Sequence, residues 1–387
     1  MTLLLGIIAG LLILTFLVVI HELGHAIVAR RNGVVVEEFG VGFPPRARAR
    51  KVEKSFLGKG VEYSLNWLPI GGFVKLQGEH DEDGGKKGDF GRASFLAKTK
   101  ILLAGVAINW LAAIVLLSVL SVFGIPKIID NQFVVANDSV RVAEDPKVNF
   151  VEKNSPAADA GLKSGDTLIT VAGEPLTTPE QLARLTENNK GSDIPITYER
   201  DETRTTTIAA LREERTDSQG YLGASTYQRE SYRATWSAPI VGVGLTAQMS
   251  WLTLQGIGNM ATNFFSGIVQ KLNPDDAAQE SADAAIAAAG RNVAGPIGLI
   301  GVILPGLISQ GPTYTVLIIA VISLSLAVLN MLPIPGLDGG RWALIALYRV
   351  LDRPLTKERE EQIVGVGMLF LLGVFVLITV ADVGKFF

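Results

Sequence analysis

The amino-acid sequence predicts a polytopic α-helical membrane protein with about four transmembrane helices, a small β-rich segment after the first and a separate α+β domain after the second. Three observations carry this. The 387 residues are 48% hydrophobic and only 19% charged, which is too apolar for an ordinary soluble chain of that length. Four apolar runs approach or exceed the length that spans roughly 30 Å of hydrocarbon as a helix: Thr2 to Ile20 with its continuation through Ala29, Ile101 to Phe123, Tyr314 to Leu332, and Ile363 to Val380. Between the second and third runs, residues 133–223 have soluble composition and turn signals at short intervals.

The first run is expected to be retained as a span. It opens without a basic segment, no small-residue cleavage site closes it, and it is too long for a signal peptide. Arg30, Arg31, Arg46, Arg48, Arg50, Lys51 and Lys54 follow it, and Arg341, Arg349, Arg353, Lys357 and Arg359 lie between the third and fourth runs. Basic loops next to spans mark the cytoplasmic side, so the N-terminus and the middle domain are expected outside. Ala238 to Met260 carries Thr246, Gln248, Ser250, Thr253 and Gln255, and Val293 to Ile308 is broken by Gly295-Pro296 and Pro305-Gly306. Both read as surface-lying or re-entrant helices. Residues Asn273 to Asn292 read as a mobile linker or weak helix. A formal net charge of −3 without a basic, aromatic-interleaved block argues against nucleic acid as a partner.

In the middle domain, Val148 to Val151 reads as a strand. Asn154-Ser155-Pro156 is a helix start for Ala157 to Ala160, and Thr167 to Val171 is a second strand. A helix is expected from Pro179 to about Asn188, then a hairpin of Ile194 to Arg200 and Arg204 to Leu211 turning at Asp201-Glu202. The stretch from Ser155 through Gly161-Leu-Lys-Ser-Gly165-Asp166 to Gly173 resembles the signature of a bacterial PDZ domain. Such domains capture extended peptide at a sheet edge; the competing reading is a domain that only spaces or occludes.

Chemistry concentrates at His21-Glu-Leu-Gly-His25, an H-E-x-x-H pattern. On a helix, imidazoles at i and i+4 share one face and can reach one metal ion, with Glu22 free to act on water. Cysteine is absent and histidine occurs three times, so a transition metal here needs imidazole and carboxylate. Ionisable groups inside a span cost roughly 2.5–3.5 kcal/mol each and mark function; the bland alternative is a hydrogen-bonded structural cluster. A third ligand is required. His80 sits in a charged, glycine-rich loop where solvation is the default, whereas Asp338, following Pro333 and Pro335 at the end of the third run, reaches a matching depth if that span also runs inward. The alternative for Asp338 is a helix cap.

H-E-x-x-H on a first span together with Asn330-Met-Leu-Pro-Ile-Pro-Gly-Leu-Asp338-Gly on a later one resembles the site-2 protease family of intramembrane zinc metalloproteases, in its bacterial RseP type with a single PDZ domain. The resemblance implies one Zn2+ held by His21, His25 and Asp338, with Glu22 as the catalytic acid/base. Ala104-Gly-Val-Ala-Ile-Asn109 resembles a further family element, with Val106 where proline is usual. Asn109, Asn330 and the strand-like Gly72 and Phe73 are implied to position substrate, and Gly295-Pro-Ile297 resembles another element. The expected organisation is a first span in 1–30, a cytoplasmic β-rich segment with a membrane-associated hairpin in 31–98, and a second span in 99–124. An extracytoplasmic PDZ domain follows in 125–224, then surface or re-entrant helices and linker in 225–311. The third span falls in 312–340, a cytoplasmic loop in 341–362 and a fourth span in 363–383.

By the same resemblance, the protein sits in the bacterial cytoplasmic membrane with its active site near the cytoplasmic side. It cleaves transmembrane segments of substrates such as anti-sigma factors or signal-peptide remnants. Expected partners are transmembrane proteins or peptides, the lipid bilayer and a peptide ligand of the PDZ domain. The rival functions are a catalytically inactive scaffold or PDZ adaptor of the same fold, and a metal transporter, which would need several intramembrane ligand sites where only one is found.

Overall fold

The computed structural model describes residues 2–214, 219–271, 279, 281 and 295–386, so the expected linker at 273–292 falls almost wholly outside the described residues. The chain forms two units, Met1–Ser121 with Trp236–Phe387, and Val122–Thr235.

Four helices among the described residues are long and apolar enough to cross a membrane. The first, α1 (Thr2–Arg31), is one uninterrupted helix ending in Arg30 and Arg31. The second expected span is divided. Ile101 belongs to a short helix, α2 (Phe95–Leu102), started by Ser94, whose hydroxyl accepts a bond from Ala97 N. The spanning helix α3 (Ala104–Phe123) begins only after Leu103. Hydropathy could not register this break, because Ile101 and Leu102 are buried against protein and are as apolar as residues that face lipid.

Between α1 and α2 run β1 (Val36–Val52) and β2 (Val61–Leu76), an antiparallel ribbon folded on itself through repeated register shifts. Residues 38–41 therefore have partners on both sides, 72–75 and 62–65, while 62–65 also pairs with 48–51. The free edges are 72–76 and 46–52. The turn within β2 carries exposed Leu65, Trp67 and Leu68, and Thr15 Oγ1 donates to Pro69 O at 2.6 Å. A hairpin tip bonded to the sixth residue before His21 on an apolar helix lies alongside the span, at about 9 Å from the level of His21 by helical rise. The ribbon's other end joins Ala26, Ala29, Val34, Leu57, Phe90, Ile101, Leu344 and Leu355 in one buried cluster, which ties the end of α1 to everything that surrounds it.

Residues Val122–Thr235 form β3 (Ile125–Pro126), β4 (Val140–Ala143), β5 (Lys147–Val151), α4 (Pro156–Asp159), β6 (Thr167–Val171), β7 (Glu174–Pro175), α5 (Pro179–Asn188), β8 (Asp193–Arg200), β9 (Thr203–Ala210), β10 (Ala224–Tyr227) and β11 (Glu230–Arg233). One sheet has the order β10-β5-β6-β8-β9 with β7 on β6, and a second has the order β3-β11-β4. The strands, helices and hairpin expected from sequence are all present within a residue or two. Ser155 caps α4, and Asp201 and Glu202 both adopt positive φ, as a two-residue turn between twisted strands demands. The short strands β3, β4, β7, β10 and β11 went unread. Each has only two or four residues, too few for an alternation to stand out from chance.

α6 (Ala238–Lys271) is a single helix of 34 residues. Its buried residues Ala238, Val241, Gly242, Leu245 and Thr246 share one face. Gly242 faces the Ser118 hydroxyl and the Ile114 carbonyl on α3, and Met249 and Ile257 pack with Ala113, Leu324 and Val328. The hydroxyls of Thr246, Ser250 and Thr253, which made this stretch read as too polar to embed, donate to carbonyls four residues back on the same helix. They are thereby satisfied without water. Residues 296–309 are helical with a π turn at Leu299–Ile303 beside Pro305. Their start is held by Asp382, whose carboxylate accepts from Gly295 N at 3.0 Å and Gly298 N at 2.8 Å. The remaining helices are α7 (Pro312–Met331), α8 (Asp338–Val350) and α9 (Lys357–Phe386).

Candidate metal centre

α1 supplies His21 and His25 one turn apart, both buried. Gly24 lets α3 approach at this point: a Cβ there would stand 2.8 Å from Ala104 O. After α7, the chain turns through Leu332–Leu337 and starts α8 at Asp338. This turn is tight. A Cβ on Gly340 would collide with the Ile334 carbonyl, so the glycine pair after Asp338 is what lets the turn fold onto the new helix.

Asp338 Oδ2 lies 2.9 Å from His21 Nε2 and 3.2 Å from His25 Nε2, and the two Nε2 atoms are 3.2 Å apart. The capping position of α8 is Leu337, and Asp338, the first residue within the helix, turns its carboxylate to His21. Ligand atoms about 2.0–2.2 Å from a tetrahedral zinc stand roughly 3.3–3.5 Å from one another, close to the triangle seen. His25 Nδ1 is 2.7 Å from Ile101 O. A carbonyl only accepts, so Nδ1 carries the proton and Nε2 turns a lone pair toward Asp338. Buried lone pairs converging from imidazole and carboxylate repel one another unless a cation lies among them, and the donor set is one that zinc takes. His21, His25 and Asp338 therefore fit a zinc ion, and they form the one His/Asp/Glu group of this kind among the described residues.

Gly105 was missed by the sequence reading. A Cβ at this position would collide with Nε2 of both histidines, so the space in front of the triad exists because residue 105 has no side chain. A signal was available: Gly105 stands four residues before Asn109 in the motif already singled out, which places both on one face of α3.

Glu22 is half-buried and turns toward β2. A Cβ on Gly72 would lie 3.8 Å from Glu22 Cγ. Gly72 is thus at the site, on a free strand edge. Phe73 points to the opposite face, as alternation along a strand requires, and its ring lies over Gly40. Asn109 is fully buried, with Nδ2 at 3.3 Å from His21 Nδ1 and its carbonyl receiving Ser323 Oγ at 2.9 Å. Its side chain faces His21. Asn330, on the last turn of α7, is half-buried and makes no hydrogen bond to the triad.

His80 is no ligand. Its Nδ1 is 3.1 Å from Asp83 Oδ2 and its Nε2 is 3.3 Å from Glu361 Oε1. It does line a cleft of about 280 Å³ that reaches Asp338, together with Glu79, Arg341 and Glu360. A polar route to Asp338 therefore runs beside these residues. The loop bearing His80 is fastened to the start of α9: Asp81 N donates to Glu360 Oε2 at 2.9 Å, and Lys357 N donates to Glu82 Oε2 at 2.8 Å.

The sequence pattern of Peptidase family M50 matches residues 9–374, and so takes in the triad, Glu22 and Gly105. A protein of Agrobacterium fabrum named "putative zinc metalloprotease" is 29% identical, over 97% of this chain and 94% of its own. One of Clostridium perfringens with the same description is 29% identical, over 97% and 98%. Among solved structures, the PDZ domain of an SdrC-like protein from Listeria monocytogenes covers 21% of this chain and 86% of its own, at 21% identity and a TM-score of 0.19, too slight a likeness to carry an argument.

Proposed function

The chain belongs to Peptidase family M50 and is a membrane metalloprotease, and we propose that it hydrolyses peptide bonds within transmembrane segments of other membrane proteins. The observation that carries this is the closed triangle of His21, His25 and Asp338 set between apolar helices. One zinc ion there would supply Lewis acidity, polarising a carbonyl and acidifying water. The residues do the rest. Asp338 and the two imidazoles supply one negative charge and two neutral donors, leaving net positive charge to stabilise an oxyanion. Glu22 accepts the proton of the attacking water on its carboxylate and passes it to the leaving nitrogen.

A transmembrane helix hides its carbonyls in its own hydrogen bonds and must open locally before attack. The free edge at Gly72 to Leu76, next to Glu22, offers backbone groups to which an opened segment can add as a strand, and the absent side chain at Gly72 leaves room for it. The cleft reaching Asp338 is the route for water. The basic residues flanking the spans favour the cytoplasmic side for the triad end of α1 and α7, and this bias supports a location in a bacterial cytoplasmic membrane with Val122–Thr235 outside. The PDZ-like stretch Ser155 to Gly173 and the edge strand β10 suit that unit to capturing peptide or to excluding substrates with large external domains. Anti-sigma factors and signal-peptide remnants have the single-span form this arrangement accepts. The rival reading, an inactive scaffold, leaves the lone-pair triangle and the adjacent Glu22 without purpose.

The test is bound zinc measured beside cleavage of a single-span substrate in vesicles. Glu22→Gln should keep zinc and lose cleavage by two orders of magnitude or more, on the order expected for a general base, while Asp338→Asn should lose both. Cleavage by Glu22→Gln at the parent rate would overturn the reading.

A further inference from the structure

Asn109 combines features that its packing does not explain. It is 0% exposed, and its side-chain nitrogen lies 3.3 Å from His21 Nδ1. Its Oδ1 is buried without a hydrogen-bond partner among the described residues. An unmade bond at a buried amide oxygen costs about 1–3 kcal/mol. His21 presents Nε2 to Asp338 and His25. For Nε2 to offer its lone pair to a metal, neutral His21 must carry its proton on Nδ1. The amide as placed therefore sets donor against donor at Nδ1 while its acceptor stands idle. Amide oxygen and nitrogen exchange places by a half-turn of the terminal torsion, an assignment made from partners and not from shape. One half-turn puts Oδ1 on His21 Nδ1–H, which removes the conflict of donors at that nitrogen and engages the acceptor, and moves the unpartnered end of the amide to its NH2.

We infer that Asn109 is a positioning residue for the metal centre, accepting the Nδ1 proton of His21 through Oδ1 and thereby holding His21 in the tautomer that binds zinc through Nε2. His25 has the equivalent partner in the Ile101 carbonyl. Each imidazole thus receives an acceptor at the nitrogen away from the site, one from the backbone before α3 and one from a side chain within it. Such partners fix ring orientation and raise ligand basicity. The placement of Asn109 is itself secured, because its carbonyl receives the buried Ser323 hydroxyl on α7 at 2.9 Å, the helix that leads to Asp338. One residue on α3 therefore registers one ligand directly and the helix carrying another. This inference rests on the metalloprotease reading but is read out by zinc affinity and the hydrogen bond at His21 Nδ1, independently of cleavage.

The experiment uses the full chain in detergent or nanodiscs, with zinc as the probe. The zinc dissociation constant is measured by chelator competition for the parent, Asn109→Leu and Asn109→Asp. Asn109→Leu should weaken zinc binding by about 10- to 100-fold, and Asn109→Asp, which keeps the acceptor, should bind within a few-fold of the parent or tighter. With only three histidines in the chain, 15N-histidine labelling resolves each ring, and in the zinc-loaded parent the Nδ1–H of both His21 and His25 should be hydrogen-bonded, with a downfield 1H shift and slow exchange. Unchanged affinity in a folded Asn109→Leu, or a zinc-loaded parent whose His21 Nδ1–H has no hydrogen bond, would overturn the inference. If Asn109→Leu fails to fold, that hydrogen bond in the parent still decides, because zinc ligation places the proton on Nδ1 but does not supply its acceptor. Loss of cleavage with intact zinc affinity and tautomer in Asn109→Leu would instead return Asn109 to substrate positioning.

Discussion

Asp338 Oδ2 stands 2.9 Å from His21 Nε2 across 317 positions of sequence, and the space facing that contact is kept open by the hydrogen atom that serves as the side chain of Gly105. The two facts belong together. Ligands from α1 and from the turn after α7 converge at one place, and α3 runs past it so closely that any Cβ at residue 105 would strike both imidazoles.

Gly105→Ala is accordingly expected to damage the centre without unfolding the protein. Alanine is a better helix former than glycine by about 1 kcal/mol, so helicity and membrane insertion should hold. The histidines must be displaced, and bound zinc should fall by at least about tenfold, the scale of a disturbed ligand environment. Metal content of purified protein is the measurement, and an alanine variant that retains full zinc would show that the approach of α3 is looser than described.

Asp382 should matter to stability and not to chemistry. Its carboxylate takes the Gly295 and Gly298 amides, in a buried setting on a helix of apolar residues. Asp382→Ala leaves two amides unpaired, at about 1–3 kcal/mol each, and should lower the thermal midpoint and speed proteolysis near residues 296–309. Asp382→Asn, which retains an acceptor, should lie between. Limited proteolysis in nanodiscs reads this directly, and equal cutting of Asp382→Ala and parent would remove the pairing.

The course of α6 can be checked covalently, because the chain contains no cysteine. Gly242 sits against Ser118, within the separation a disulfide spans. Ser118→Cys with Gly242→Cys should cross-link nearly completely under mild oxidation, whereas Ser118→Cys with Gly256→Cys should not, since nothing lies within 4 Å of Gly256. Failure of the first pair to close would mean that α6 leaves α3.

In the unit Val122–Thr235, the Arg141 guanidinium and then Lys127, whose Nζ is 3.2 Å from Glu230 Oε2, hold the Glu230 carboxyl below its ordinary value of 4.5. A depressed carboxyl stabilises the folded form above that ordinary value, and the contribution disappears as pH falls through the lower, folded value. Hydrogen exchange at residues 140–143 and 230–233, corrected for intrinsic rates, should therefore show more protection at pH 7 than at pH 3. Glu230→Gln should flatten that difference; an unchanged pH dependence would exclude the ion pairs as its cause.

How much of this was legible in advance follows from the range of the interactions involved. Local order was readable: four apolar runs of spanning length, the i, i+4 spacing of His21 and His25, the Ser155 cap and the Asp201-Glu202 turn all depend on neighbours within a few residues. The choice of Asp338 over His80 also came from sequence, through the family motif and the sense in which α7 runs. What the tertiary structure decided was every feature in which two distant segments share a volume. It set the break at Leu103 and the doubled pairing of residues 38–41. It placed Gly105 against both histidines, Asn109 behind His21, Phe73 across Gly40 and Asp382 beneath Gly295. Hydropathy and periodicity report which face of one element is apolar, but not which atom of another element will stand there. At a metal centre, where a few tenths of an ångström separate a ligand from a collision, that second fact decides which residues do the chemistry.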